Sequence, residues 1–311
     1  MASRYVGRVA RATLQVGTWN CFGMGQTALH ALTHFGAPSS ARLLHADVIA
    51  ACVAPDVLCV QELFSREAQR FFDGLAGRFD ALVRDHNRVS LRTITMRGHG
   101  LGIASRRRVL SRSHHHFRAR SSGWDRLARK GALHALVLLD DGVLVDVLTC
   151  HLQAGYDVEA QATRAAQLVE VRAIVDALGA RERPCIVCGD FNIDGLAAAR
   201  AHAEYRRLTS ALEGFRDLGA SDDLPTLDPH PERNPLAHMF NEGAPPQRLD
   251  YFFFRAARDA ANAAPHLACT AVERILDRPL SASPSSLLSH GPREHASDHY
   301  GLRATFDIVG A

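Results

Sequence analysis

No stretch of this 311-residue chain stays apolar for the roughly 18 to 20 residues that a membrane-spanning helix needs, and the longest candidate, 132–150, is interrupted by Asp140 and Asp141. Residues 1–16 carry Arg4, Arg8 and Arg11 but no continuous apolar segment, which argues against a secretory signal peptide. Charge of one sign is also scarce. A formal net charge of +3 and a pI near 8.6 fall short of the strong, localised basic excess that marks a nucleic-acid-binding domain. An even cysteine count is missing as well. The seven cysteines, Cys21, Cys52, Cys59, Cys150, Cys185, Cys188 and Cys269, lie mostly inside apolar segments and read as buried thiols of a reducing compartment. Cys185 and Cys188 have the spacing of a redox or zinc pair. Ile186 and Val187 between them make a strand, on which residues three apart point to opposite faces. The expectation is a cytoplasmic protein whose only membrane contact is peripheral.

Internal repeats are absent, and so is any linker-like shift in composition before residue 256. The chain therefore reads as one catalytic domain, 1–311, with 1–13 as an N-terminal extension and 256–296, where Ala, Pro and Ser accumulate, as a long surface loop or insertion. Hydrophobic residues at 47% and charged residues at 22% suit a soluble protein with a well-developed core. One tract departs from this balance. From Arg97 to Lys130 ten Lys or Arg residues stand against the single acid Asp125, either as a solvated basic loop or as a face for an anionic partner. His114, His115 and His116 within it have metal-binding chemistry but read as part of an exposed loop.

Short segments rich in β-branched and apolar residues predict strands over 14–20, 57–62, 100–104, 143–151, 185–190 and 249–254. Between 159 and 178, Ala162, Ala166, Val169, Ala173 and Ile174 recur at helical spacing before Gly179, predicting a long helix. Asp140, Asp141 and Gly142 predict a hairpin turn, so the sheets are mixed.

Several of these strands finish in polar groups. Asn20 ends the first, Gln61 and Glu62 the second, His151 the fourth, and Asp190 with Asn192 the fifth, while Ser297, Asp298 and His299 precede the strand-like 300–306. Buried strands rarely end in carboxylates and amides, because such groups cost several kcal/mol to desolvate without partners. Singly, each is a solvated terminus or a turn cap, and each histidine a satisfied structural one. Jointly they are economically explained as a cluster of oxygen ligands, the donors Mg²⁺ prefers, with an imidazole able to take a proton from water.

In this order the clusters resemble the deoxyribonuclease I-like endonuclease/exonuclease/phosphatase superfamily. The likeness is carried by Asn20, Glu62, Gly189-Asp190-Phe191-Asn192, Arg248-Leu249-Asp250-Tyr251 and Ser297-Asp298-His299. It implies an α/β fold: a four-layered sandwich of two packed mixed β-sheets flanked by helices. Within the superfamily the chain most resembles neutral sphingomyelinases. Asp125-Arg126-Leu127-Ala128-Arg129-Lys130-Gly131 is similar to their Asp-to-Lys switch, and His151-Leu152-Gln153-Ala154 to their catalytic-histidine segment, although Cys150 replaces the usual threonine and 256–296 shows no aromatic-rich hairpin.

The resemblance implies that Glu62 and Asn20 hold a catalytic Mg²⁺, for which Mn²⁺ can substitute, with Asp298 on the metal side. It implies that His299 activates water, that Asp250 orients His299, and that Asp190 and Asn192 position water and phosphoryl oxygens. His151 then stabilises developing charge or assists the leaving oxygen, and Lys130, with Asp125 as its partner, contacts the substrate phosphate. The implied protein is a monomeric phosphodiesterase of phospholipase C type acting on sphingomyelin or a related phospholipid. A nuclease or small-molecule phosphatase is the alternative on the same chemistry, and nucleic acid stays open as a partner. A catalytically inactive binding module is the alternative of another class, and the filled catalytic positions speak against it.

Overall fold

The computed structural model describes residues 12–23, 40–85, 89–90, 95–96, 98–140, 142–178, 182–258, 266–280 and 295–309. Most of the N-terminal extension, Arg97, Asp141 of the expected hairpin turn, Gly179 of the expected helix stop and parts of 256–296 lie outside them. In chain order the strands are β1 (Thr13–Asn20), β2 (Val57–Gln61), β3 (Ala81–Arg84), β4 (Val89–Ser90), β5 (Thr95–Met96), β6 (Gly102–Ser105), β7 (Arg108–His116), β8 (Gly131–Leu138), β9 (Leu144–His151), β10 (Cys185–Asp190), β11 (Arg216–Asp217), β12 (Asp250–Arg255), β13 (His266–Ile275) and β14 (Gly301–Val309). The helices are α1 (Ala46–Cys52), α2 (Arg66–Asp73), α3 (Val158–Ala177), α4 (Ala203–Ala211) and α5 (Pro235–Phe240).

Two six-stranded mixed sheets form, ordered β13-β14-β1-β2-β6-β3 and β11-β12-β10-β9-β8-β7, with β4 and β5 as a separate ribbon. Because successive residues of a strand face opposite sides, each strand that is apolar on both faces feeds two layers. Val16, Val57, Cys59 and Ile103 from the first sheet meet Val147, Ile186, Cys188 and Phe252 from the second in the central core. The opposite face of the first sheet, Trp19, Leu58 and Val60, packs on Val48 of α1 and Phe71 and Phe72 of α2. The opposite face of the second, Leu148, Val187 and Phe253, packs on Leu168, Val171 and Val175 of α3 and Leu208 of α4. The result is the four-layered sandwich. Cys185 and Cys188 fall in different layers, as the strand reading requires.

Phe252 is fully buried between the sheets. Phe252→Ala is expected to cost about 3 to 5 kcal/mol, read as a lower urea midpoint at unchanged slope.

Four expectations need correction. The stretch 256–296, expected as a long loop or insertion, contains a strand, since β13, ten residues long, pairs along β14 as an edge strand. Its pattern was hard to read because an edge strand is half solvated and a bulge between Cys269 and Ala271 breaks the alternation. His114 to His116 end β7 rather than lying in a loop; this edge strand pairs with β8 and has almost no apolar face. The predicted long helix forms, but Ala162, Ala166 and Val169 lie on its outer side, Val169 being 69% exposed. Its inner face includes Arg164 and Gln167, buried because the Arg164 guanidinium binds Glu204 and the Gln153 and Gly155 carbonyls, while Gln167 accepts from the Gln153 amide. Finally, Cys269 is only half-buried, unlike the other six free thiols.

Among the described residues no helix is long and apolar enough to cross a membrane.

Candidate active site

The parallel pairs β1/β2 and β9/β10 bring like ends together, so the polar residues that finish these strands are neighbours in space. Asn20 stands opposite Gln61 in the first sheet, and His151, Asp190 and Asp250 form one row across the second. The two rows face each other, bridged from beneath by Gln61, whose amide donates to Thr18 in its own sheet at 3.0 Å and to Thr149 in the other at 2.9 Å. Gln61 thus acts as an internal tie between the sheets.

Three backbone positions show what the sharp turns out of the strands demand. Phe22, Glu62 and Asn192 have positive φ angles of 48°, 64° and 52°, a conformation costing non-glycine residues about 1 to 3 kcal/mol each and common at functional sites. Gly189 answers a different need: a Cβ there would lie 2.1 Å from the Cys150 carbonyl oxygen, so only glycine lets β10 approach β9.

Asn20 is the hub. Its Nδ2 donates to Glu62 Oε1 at 3.1 Å and to Asp190 Oδ2 at 3.0 Å, while its Oδ1 accepts from the Phe22 amide. The Asp190 Oδ2 atom is also 3.4 Å from His151 Nε2 and 4.0 Å from His299 Nε2. His299 Nδ1 is 2.8 Å from Asp250 Oδ2, which holds the ring with Nε2 directed toward Asp190. The Ser297 hydroxyl lies 2.7 Å from the Asn20 carbonyl oxygen and 3.1 Å from Asp298 Oδ1, tying the loop before β14 to the end of β1. Asn192 is placed less directly: its amide group donates to the Leu152 carbonyl and its backbone N–H to Asp190 Oδ1. Lys130, 4% exposed, sets its Nζ 2.8 Å from His151 Nε2 and 3.2 Å from Asp125 Oδ2, and the same Asp125 oxygen accepts from the Ala154 amide.

Burial and the neighbouring Asp298 push the Glu62 carboxyl up to about 7, and burial pushes Asp190 up to about 6. Asp298 is raised by burial too. For His299 burial opposes the charged form, but Asp250, Asp190 and Asp298 outweigh it and hold the imidazole well above its ordinary value. His151 goes the other way: burial first, then the Lys130 ammonium, hold it well below and therefore neutral.

Acids that resist ionisation and a histidine that keeps its proton mark a crowd of negative groups, whose charge a divalent cation would offset. Glu62 Oε2 and Asp250 Oδ1 are buried and accept no hydrogen bond among the described residues. The first of these opens a position for an oxygen-seeking ion beside Asn20, so the residues fit Mg²⁺. Asn20 here turns its NH₂ to both carboxylates, and it joins such a ligand set only by turning its oxygen inward. Asp190, Asp250 and His299 form a second donor group, with ligand atoms all within 4.8 Å of one another. His299 is already committed to Asp250, so this group reads more naturally as an oriented base.

Every candidate residue therefore lies at one end of the sandwich, and the sequence reading overlooked three that serve the same place: Gln61, to which it assigned no role, Ser297 as a tie, and the fully buried Arg42. Only their polarity inside apolar surroundings could have signalled them.

For a hydrolase that builds phosphoryl charge at this end of the sandwich, Lys130→Met is expected to lower turnover by about 10²- to 10³-fold, because it removes a buried ammonium held between His151 and Asp125. It should also raise the His151 pKa, since the ammonium helps hold it down. NMR titration of the imidazole checks the second effect independently of activity.

No curated protein matches the chain. Among solved structures, sphingomyelinase C from Streptomyces griseocarneus is similar over 94% of this chain and 99% of its own, at 20% identity and a TM-score of 0.67. A beta toxin from Staphylococcus aureus with bound magnesium ions is similar over 94% and 99%, at 18% identity and a TM-score of 0.71. D. rerio TDP2 complexed with a single-strand DNA product is similar over 96% and 100%, at 18% identity and a TM-score of 0.66. At such identities these likenesses speak for the fold alone. The sequence model of the endonuclease/exonuclease/phosphatase family matches residues 17–299, from within β1 to His299 itself, and the chain belongs to that family.

Proposed function

We propose that this protein is a Mg²⁺-dependent phosphodiesterase of phospholipase C type, with Mn²⁺ as a substitute ion, which hydrolyses sphingomyelin or a related phospholipid to a phosphorylated head group and a neutral lipid. The observation that carries the chemistry is that Asn20 and Asp190 link Glu62, whose Oε2 accepts no hydrogen bond among the described residues, to the His299–Asp250 pair. Glu62 and Asn20, with Asp298 nearby, would hold the ion. When bound, it would neutralise phosphoryl charge and draw down the raised carboxyl pKa values.

The remaining steps belong to the chain's own residues. His299 Nε2 takes the proton of an attacking water, and Asp250, accepting from Nδ1, fixes the ring and stabilises the imidazolium that forms. Asp190 and Asn192 orient the water and the phosphoryl oxygens from the opposite sheet. Lys130 supplies positive charge where the phosphoryl oxygens gain negative charge, and Asp125 anchors its ammonium. His151, held neutral, accepts from Lys130 through Nε2 and so helps that ammonium stabilise the developing charge, while the leaving oxygen takes its proton from water.

The lipid substrate is supported by the Asp125–Lys130 contact, the feature in which the sequence resembles neutral sphingomyelinases, and by the likeness to sphingomyelinase C. A nuclease is the second reading, supported by the likeness to TDP2. Hydrolysis of sphingomyelin micelles, phosphatidylcholine micelles, single-stranded DNA and a phosphomonoester under one Mg²⁺ concentration separates them. Phosphocholine release from sphingomyelin is expected; cleavage of DNA or the monoester alone would remove the lipid assignment.

A further inference from the structure

Arg42 is fully buried, in the short 3-10 turn Ser40–Leu44 that leads toward α1. A guanidinium taken out of water is costly unless its donors are matched. Among the described residues its hydrogen-bond partners include main-chain carbonyls from two distant parts of the chain. Nε donates to the Ala296 carbonyl at 2.8 Å, and Nη2 donates to the Cys21 and Phe22 carbonyls at 2.9 and 2.6 Å. Its carbon stands 5.6 Å from the Phe22 ring centroid.

Those carbonyls bracket the site. Cys21 and Phe22 directly follow Asn20, and Ala296 directly precedes Ser297, Asp298 and His299. The strained positive φ of Phe22 lies at one of the tied carbonyls, where a local strain persists only if its surroundings over-determine it. The Ser297–Asn20 contact joins the same two segments next to Arg42, so side chain and main chain converge on one junction. The planar fork of arginine can address several acceptors in fixed directions, which an ammonium on a flexible stem cannot.

We propose that Arg42 is a positioning residue which clamps the Asn20 end of β1 to the Asp298–His299 loop, setting the metal-side oxygens and the base in register. The proposal rests on the metal-dependent hydrolase reading for its consequence, but the clamp itself is testable without turnover. Its positive charge acts in the same sense, since it draws the Asp298 carboxyl down against burial.

Arg42→Lys retains the charge and loses the fork, and Arg42→Met loses both. For Arg42→Lys, kcat on a soluble phosphodiester is expected to fall about ten- to a hundredfold, as displacements near 1 Å do, with KM within about twofold of the parent because Arg42 does not reach the substrate. The Mg²⁺ concentration giving half of the ligand-induced rise in melting temperature is expected to increase several-fold, more in Arg42→Met than in Arg42→Lys. This second readout needs no substrate, so failure of every substrate tried leaves it intact. An Arg42→Lys protein with parental kcat and parental Mg²⁺ midpoint overturns the clamp. Should the variants not fold, hydrogen exchange of the unaltered protein decides: Mg²⁺ is expected to slow amides in 21–23 and 295–299 together, and slowing in only one segment would refute their coupling.

Discussion

His299→Ala is expected to lower kcat by about 10²- to 10⁴-fold, the range typical of a lost general base, while the fold and Mg²⁺ binding persist. The ring is held at Nδ1 by Asp250 at 2.8 Å, which leaves Nε2 turned toward Asp190 4.0 Å away and able to accept a proton. His151 is in the same pocket but is kept neutral and engaged by Lys130. The pH dependence has a defined sign. A base works when deprotonated, and Asp250, Asp190 and Asp298 favour the protonated form of His299 against burial, so the rate should climb with pH along a limb that these carboxylates push up and bound Mg²⁺ pulls down. Asp250→Asn removes the first-named of these carboxylates and should move that limb to lower pH while reducing the plateau. A pH–rate profile that is unchanged in Asp250→Asn would dissociate Asp250 from the base.

Glu62→Gln is expected to raise the Mg²⁺ requirement by about a hundredfold or abolish activity, since even outer partners of metal ligands are worth 10- to 100-fold in affinity. The same substitution has a stability signature. Glu62 titrates near 4.5 unfolded but near 7 when folded without metal. The folded state therefore binds the extra proton between these values, and stability falls as pH rises through that window. Asp190, raised to about 6, acts in the same direction and Glu62→Gln leaves its share in place. Metal-free unfolding at pH 5 and pH 8 should thus differ by less in Glu62→Gln than in the parent, and saturating Mg²⁺ should reverse the parent's loss. An equal pH dependence in both proteins would show that Glu62 is not the buried acid of this pocket.

The polar ends of strands made much of this site legible from the residues alone. Asn20, Glu62, His151 and Asp190 follow apolar segments so closely that the strands and their exits could be read together. What stayed hidden has physical reasons. β13 and β7 are edge strands, solvated on one side, and their residues lack the alternation that a buried face imposes. α3 is alanine-rich on several faces, so spacing predicts the helix but not its inner stripe, which includes Arg164 and Gln167 for reasons of hydrogen bonding to a loop. Arg42 escaped because the carbonyls of Cys21, Phe22 and Ala296 that it binds carry no side-chain signature and meet only after the sheets assemble. Asn20 was read as an oxygen ligand. Its NH₂ group donates to Glu62 and Asp190, a pairing of amide with two carboxylates that the spacing of these residues along the chain does not announce.

Metal-dependent phosphodiester hydrolysis is the reaction proposed for this end of the sandwich. It is tested most directly by adding bis(p-nitrophenyl) phosphate to the purified protein with Mg²⁺ and, in parallel, with chelator, alongside His299→Ala at the same concentration. Release of p-nitrophenolate that requires Mg²⁺ and disappears in His299→Ala is the predicted result; equal release in chelator, or full activity in His299→Ala, would contradict it.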